Sequence, residues 1–570
     1  MIGALDLSII VVYLLIMLVI GLFAQRRASR GIDSYFLGNK EMPWWMLALS
    51  GGVSNFDITG TMWIVSLIYL IGVKSMWVHW MWGAYSLPVI SMVFMGRWIR
   101  RANVMTQAEW IKKRYGEDGW GRAARFVSAT MMILGAIFML SYASKGVGKF
   151  FSLFLPLSEE YCALLIMGIV LVYVLLGGFY SVVWTDLIQT LLIWAVSIYL
   201  TVFAVLNSSF SAIEASTPVG WLSFAPEMRV EYLSETPYYL FGFIVIAWVA
   251  KGLTSSFAGP DSYSFQRYAA AKGPREASKM GAFWAISLIP RWFMATAVAA
   301  LAIIGAVSIS DPEMVLPSVV QHYMPAGLIG LAISGLLAAE MSTLDSTINA
   351  ASAYAVKDLY QGFIRPKAGE HSLMRIGYIS SILIVAVGLF IGLRAESIAQ
   401  IWNWINLSWG AGILMPTILG WYWWRFNAKG YIFGVIGGAA VASIQAIFFP
   451  EAPLYVTFPL ISGISLVASV MACLFSSPVD KNVLDEFYRL IRPKGLWRRF
   501  KKEFPGVDRD TSSGRDVINI IIGIVWVTVL YLTPVYLVFR DIVSGILALS
   551  VALALSIVLY FTWYRRIPEA

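Results

Sequence analysis

The chain has 570 residues, 59% of them hydrophobic and 13% charged, with a mean hydropathy of +0.72 and a net charge of +9. A soluble domain cannot hide that much apolar surface, whereas lipid solvates it in a polytopic membrane protein. The 42 basic against 33 acidic residues are gathered in a few loops, a pattern that reports topology rather than a nucleic-acid surface. Cys162 and Cys473 both lie in apolar runs and read as buried thiols.

A membrane span needs roughly 20 mostly apolar residues. In chain order such runs number about fifteen, near 5–24, 45–71, 77–99, 124–151, 160–177, 182–205, 237–257, 281–308, 325–356, 374–393, 398–422, 431–449, 457–475, 517–538 and 542–563. The first is expected to be a retained span, because no small-residue cleavage site follows it. No soluble domain is expected at either end. Loops after odd-numbered spans are basic: Arg26, Arg27 and Arg30, then Arg97 to Arg125, Arg267 to Lys279, WRRFKK at 497–502, and Arg565 with Arg566. Loops after even-numbered spans are neutral or acidic, as at SEE (158–160), Asp311 with Glu313, and Glu451. This alternation predicts the N-terminus outside and the C-terminus in the cytoplasm. Of two longer loops, 206–236 lies outside and is acidic and polar. The other, 476–516, lies inside and contains FYRLIRPKGLWRRFKK. That segment reads either as a short amphipathic helix on the anionic inner leaflet or as a solvated linker.

Charges at membrane depth are costly, so they face a cavity or a partner. The candidates are Asp57, Asp186, Lys251, Arg291, Glu340 and Asp345; Lys145 and Lys149 lie near the outer end of the fourth span, where snorkelling would serve them. The ninth span contains AAEMSTLDSTIN (338–349), which brings Ser342, Thr343, Asp345 and Ser346 within about one and a half helical turns. Hydroxyls and a carboxylate so close together suit a hard cation. Helix packing would explain Ser342 and Thr343 but not an ionised Asp345 beside them. The second span contains GGVSNFDITGT (51–61). A helix that unwinds there frees carbonyls for a cation and presents a half-helix N-terminus to an anion, as transporters do near the midplane. The alternative is a kinked structural helix.

These segments resemble the sodium:solute symporter family, which contains the sodium/glucose cotransporters. The resemblance runs from Tyr35 to Gly438 and rests also on GGFYSVVWTDLIQ (177–189), MTQAEWIKKRYG (105–116) and LGWYWWRFNAKGYIFGVIGG (419–438). It implies an all-α polytopic membrane protein. Two inverted repeats of five spans would form the core, with the second span discontinuous and the first and last four spans peripheral. The boundaries would be 1–43 for the N-terminal span and loop, 44–205 and 237–425 for the repeats, 206–236 for the outer loop, and 426–570 for the peripheral C-terminal spans. The implied function is sodium-coupled symport by alternating access, not enzyme catalysis. The implied first sodium site uses Val53, Phe56, Ala339, Ser342 and Thr343. A possible second uses Asp186, Ser342, Asp345 and Ser346, so one or two sodium ions are expected.

The sugar-binding positions of the family fall on Asn55, on His79 in place of a glutamate, on Lys251 in place of an asparagine and on Asn403 in place of a glutamine. The family's tyrosine gate falls near Thr254 and is not reproduced. Trp77, Trp80, Trp82, Trp402 and Trp404 offer stacking faces. With Arg291 as a further positive group, these changes point to a sugar or a carboxylated sugar; internal pairing of Lys251 with Asp57 is the competing reading. Asp57 itself stands open between Lys251, a second cation and a positive group on the substrate. The rival functions are symport of an amino acid or other organic carboxylate, a sensor on a transporter scaffold, and a membrane enzyme. His322 and His371 lack the partner motif an enzyme would need. The expected partners are a small solute and the lipid bilayer, with no nucleic acid and no obligate protein, in a bacterial inner membrane.

Overall fold

The computed structural model describes residues 3–305, 309, 311–395, 401, 412–450, 452–507 and 513–568. Its elements are helical. In chain order they include α1 (Ala4–Ala28), α2 (Trp44–Val53), α3 (Ile58–Ile71), α4 (Gln107–Tyr115), α5 (Gly119–Phe151), α6 (Glu159–Asn207), α7 (Phe241–Ala258), α8 (Ser262–Ala270), α9 (Pro274–Ser287) and α10 (Ile289–Ile304). Then follow α11 (Leu328–Ala353), α12 (Glu370–Arg394), α13 (Gly412–Tyr422), α14 (Ala428–Phe448), α15 (Leu454–Leu474), α16 (Lys481–Ile491), α17 (Ser513–Val538) and α18 (Ile542–Thr562).

Among the described residues, 12 helices are long and apolar enough to cross a membrane. They do not map one to one onto the fifteen predicted runs. The fifth and sixth runs are joined without a loop in α6, where Gly178 turns the chain at φ +49°. A Cβ there would lie 2.5 Å from the Tyr35 carbonyl oxygen, so only glycine fits both the angle and the space. The third run is a chain of short pieces, Leu87–Ile90, a π-helical Ser91–Met95 and Gly96–Ala102, and none is long enough alone. The eleventh is described only at Ile401 and from Gly412 onward.

Lipid-facing and protein-facing residues separate cleanly on the outer helices. On α1, Leu15, Val19 and Phe23 are exposed while Tyr13, Met17 and Ala24 are buried. The opposite holds for α11, where every residue from Ala332 to Ala353 is buried. A helix buried all round belongs at the centre of a bundle, and α11 packs there on α6, α1, α5 and α12. Next to it, α2 packs on α9, and α3 packs on α10.

Both long loops are built structures. The 206–236 loop lies over the end of α3: the Val73 amide donates to the Trp221 carbonyl at 3.0 Å, Trp77 stacks on Phe224 at 4.9 Å, and Lys74 pairs with Glu227 at 2.9 Å. In the 476–516 loop, α16 buries Leu484, Phe487, Tyr488 and Ile491 under Trp497 and Phe500. Its apolar face is thus covered by protein, and neither the leaflet helix nor the solvated linker describes it. Lys145 and Lys149 do more than snorkel: they pair with Glu159 at 3.3 Å and with Glu313 at 3.0 Å.

Candidate functional site

The second span breaks between Val53 and Ile58. Asp57 starts the second half by accepting the Gly60 amide at 2.9 Å. A side chain at Gly60 would place a Cβ 2.6 Å from that carboxylate. Gly51 and Gly52 lie in α2 before the break, where a Cβ would strike the Trp284 ring at 2.2 Å and the Ser287 hydroxyl at 2.0 Å. These glycines allow close packing and an intact cap. The unwinding itself falls on Ser54, Asn55 and Phe56.

Three carbonyls at the break, those of Val53, Ser54 and Asn55, are met by side chains, in keeping with their burial. The Ser342 hydroxyl lies 3.1 Å from the Val53 carbonyl oxygen and 2.8 Å from that of Ala339. The Thr343 hydroxyl donates to the Ser54 carbonyl at 2.8 Å. The Asn55 carbonyl accepts from the Arg291 guanidinium, which also reaches Thr61 at 3.2 Å and Asp57 at 3.5 Å. At the start of α3, the Ile58 amide donates to Glu340 at 2.9 Å. The structure therefore brings Val53, Ala339, Ser342 and Thr343 together as a cluster of oxygens, the donor set a hard cation takes. Phe56 is buried beside them, with its ring 5.3 Å from the Arg291 guanidinium.

A cavity of about 280 Å³ opens against the break. Asn55, Asp57, His79, Lys251 and Arg291 line it, with Trp82 and Tyr263 among its aromatic walls. His79 is buried, packs on Trp292 at 4.0 Å, and has no hydrogen-bond partner at either ring nitrogen. Trp80, expected here, packs instead on Tyr85 at 5.5 Å, and Trp82 takes its place in the wall. Trp77 is occupied by Phe224. The ion-pair partner the structure gives Asp57 is Arg291 rather than Lys251. Asn403, Trp402 and Trp404 lie outside the described residues.

Residues 35–438 match the description of the sodium:solute symporter family. The chain belongs to that family. It is 26% identical over 497 residues to a sodium/glucose cotransporter of Vibrio parahaemolyticus, covering 80% of this chain and 86% of that protein. It is also 26% identical over 516 residues to a sodium/proline symporter of Haemophilus influenzae, covering 84% and 95%. In fold it is similar to a Na+-coupled sialic acid symporter in a substrate-bound outward-open state, with a TM-score of 0.71, 17% identity, and 84% and 99% of the two chains covered. The symporter is thus an integral membrane transporter of the five-plus-five inverted-repeat class, not an enzyme.

A second charged cluster in the symporter surrounds Asp186, 0% exposed, which forms an ion pair with Arg267 at 3.2 Å. Asp345 lies alongside, holding the Tyr173 hydroxyl at 2.8 Å and the Ser346 hydroxyl at 3.1 Å. The sequence placed Arg267 in a basic loop. In fact it sits on α8, a short helix capped by Asp261 and wholly buried. No hydropathy signal marks such a polar buried helix. Glu340, noted only as a charge in a span, proves to be the acceptor for the second half-helix, and its neighbour Ala339 in the same motif was the available clue.

Proposed function

We propose that the symporter imports a sugar or a carboxylated sugar by sodium-coupled alternating access, using the cavity at the break for the solute and the adjoining oxygen cluster for sodium. The observation that carries this reading is the adjacency of the two. Asn55 and Asp57 line the cavity, while Val53 and Ser54, one turn away, meet Ser342 and Thr343. A cation that draws these oxygens together fixes α2 to α11 and so completes one wall of the solute site, raising the population of the binding-competent form. Inside, where sodium is scarce, the same contacts loosen and the solute leaves. One charge moving inward gains about 2.3 kcal/mol per 100 mV.

Trp82, Trp284 and Trp292 in the wall supply faces for a ring, His79 offers two unpaired nitrogens to hydroxyls, and Lys251 lines the cavity where a carboxylate would sit. Arg291 is engaged at the break and serves that wall rather than the solute. The sugar cotransporters among the relatives are in keeping with this reading. The repeats would span 44–205 and 237–425, with the N-terminus outside and the C-terminus in the cytoplasm of a bacterial inner membrane.

Uptake into proteoliposomes under an inward sodium gradient tests the proposal, with labelled hexoses, hexuronates, sialic acid and proline as solutes. Sodium-dependent uptake of a sugar or sugar acid, abolished by Ser342→Ala with Thr343→Ala, is expected. Uptake of proline alone would assign the site to amino acids, with Asp57 facing the ammonium. Uptake indifferent to sodium would sink the coupling mechanism.

A further inference from the structure

The Arg267 guanidinium is fully buried and bridges three other elements of the bundle. Its Nε donates to the Ser50 hydroxyl at 2.9 Å. One terminal nitrogen reaches the Ser54 hydroxyl at 2.7 Å, the Ser346 hydroxyl at 2.6 Å and Asp186 Oδ2 at 3.2 Å. The other donates to the Tyr263 carbonyl at 3.2 Å. Through Ser346 the network continues to Asp345, whose other oxygen is held by Tyr173.

The four residues expected to hold a second sodium are Asp186, Ser342, Asp345 and Ser346. Two of them are direct partners of the guanidinium. Asp345 is joined to it through the Ser346 hydroxyl, and Ser342 is turned toward Val53 and Ala339. We infer that Arg267 is a resident cation standing where a second sodium would bind, so that the symporter carries one sodium per cycle. This rests on the sodium-coupled reading proposed above and specifies its stoichiometry.

The chemistry favours the guanidinium over a free ion there. Its fork of donors matches hydroxyl and carboxylate oxygens converging from several directions. It brings its charge on a covalent tether, so pairing Asp186 costs no ion uptake. A sodium ion entering the same pocket would meet a like charge at contact distance in a medium that screens poorly. The pocket can hold one cation or the other, not both.

Counting sodium decides the matter. Purified full-length symporter, titrated with radioactive sodium in choline buffer, should bind one ion per chain with a hyperbolic isotherm. Arg267→Gln vacates the pocket and leaves Asp186 and Asp345 facing it. That variant should bind twice as much sodium with a sigmoidal isotherm, and Arg267→Lys should return to one ion. Two ions on the unmodified chain would overturn the inference and leave sodium symport intact. No bound sodium would overturn the symport reading itself. One ion on both the unmodified chain and Arg267→Gln would show that the pocket is not an ion site at all. Should Arg267→Gln fail to fold, Asp186→Asn serves. It must keep one bound sodium, because Asp186 is here a partner of the guanidinium and not of an ion; loss of that sodium overturns the inference.

Discussion

Glu340 is a fully buried carboxylate whose Oε2 takes the Ile58 amide 2.9 Å away. The amide is the first of a half-helix, where a negative charge is favoured by the helix dipole. Glu340→Gln keeps the size and removes the charge, and should lower stability by about 1–3 kcal/mol. Thermal unfolding in detergent reads this directly, and an unchanged midpoint would mean the charge adds nothing to the hydrogen bond that Gln still accepts. Asp57 makes a different forecast. It lines the cavity and pairs with Arg291, while the oxygen cluster is built from its neighbours. Asp57→Asn should therefore change the order of preferred solutes and keep the sodium dependence of uptake. A shift in sodium affinity with an unchanged solute order would instead make Asp57 an ion ligand. At this scale Ser342 and Thr343 were legible, because they are neighbours in one polar motif; Val53 and Ala339 came only with the family resemblance. The pairing of Asp57 was not legible. Lys251 and Arg291 are both basic and both within spans, and nothing in chain position says which one reaches the break.

Two elements, α2 and α9, meet through the absence of side chains. A Cβ on Gly52 would fall 2.0 Å from the Ser287 hydroxyl. Overpacking of this kind costs about 1–3 kcal/mol, so Gly52→Ala should be destabilised by that amount. Because the clash is with one side chain, Ser287→Gly in the same protein should recover most of the loss. Failure of the double variant to recover would place the cost in the helix itself rather than in the contact. The break in the second span could be anticipated from the polar residues in GGVSNFDITGT, whereas the packing and capping work of its glycines could not. The third span shows the converse limit. Its hydropathy is continuous over 77–99, yet the chain there passes through short helical pieces and a π-helical stretch, a change of backbone pitch that apolar composition does not encode.

For the molecule as a whole, the 206–236 segment is fixed on the end of α3. Gly72 is the joint. Its φ is +73°, and a Cβ would sit 2.1 Å from the Trp221 carbonyl oxygen. Gly72→Ala should unseat the segment. Hydrogen exchange should then rise at the Val73 amide and along 221–233 while the helices of the bundle keep their protection. Uniform loss of protection would instead show that the segment and the bundle unfold as one unit. The alternation of loop charge had marked this segment as external and acidic, without any hint that it was packed.

On the opposite side, Arg114 lies under the rings of Tyr115, Phe487 and Trp497, at 5.1, 5.3 and 5.0 Å, and donates to the carbonyls of Gly420, Trp423, Trp424 and Phe426. This contact has an order in time. Arg114 leaves the ribosome 306 residues before Gly420, the first of those carbonyls, and Phe487 and Trp497 emerge later still. During synthesis the guanidinium must wait without these partners while span after span is inserted. The cap over α4 closes late in assembly, so a chain halted before Trp497 has its membrane core threaded but this cap unlatched.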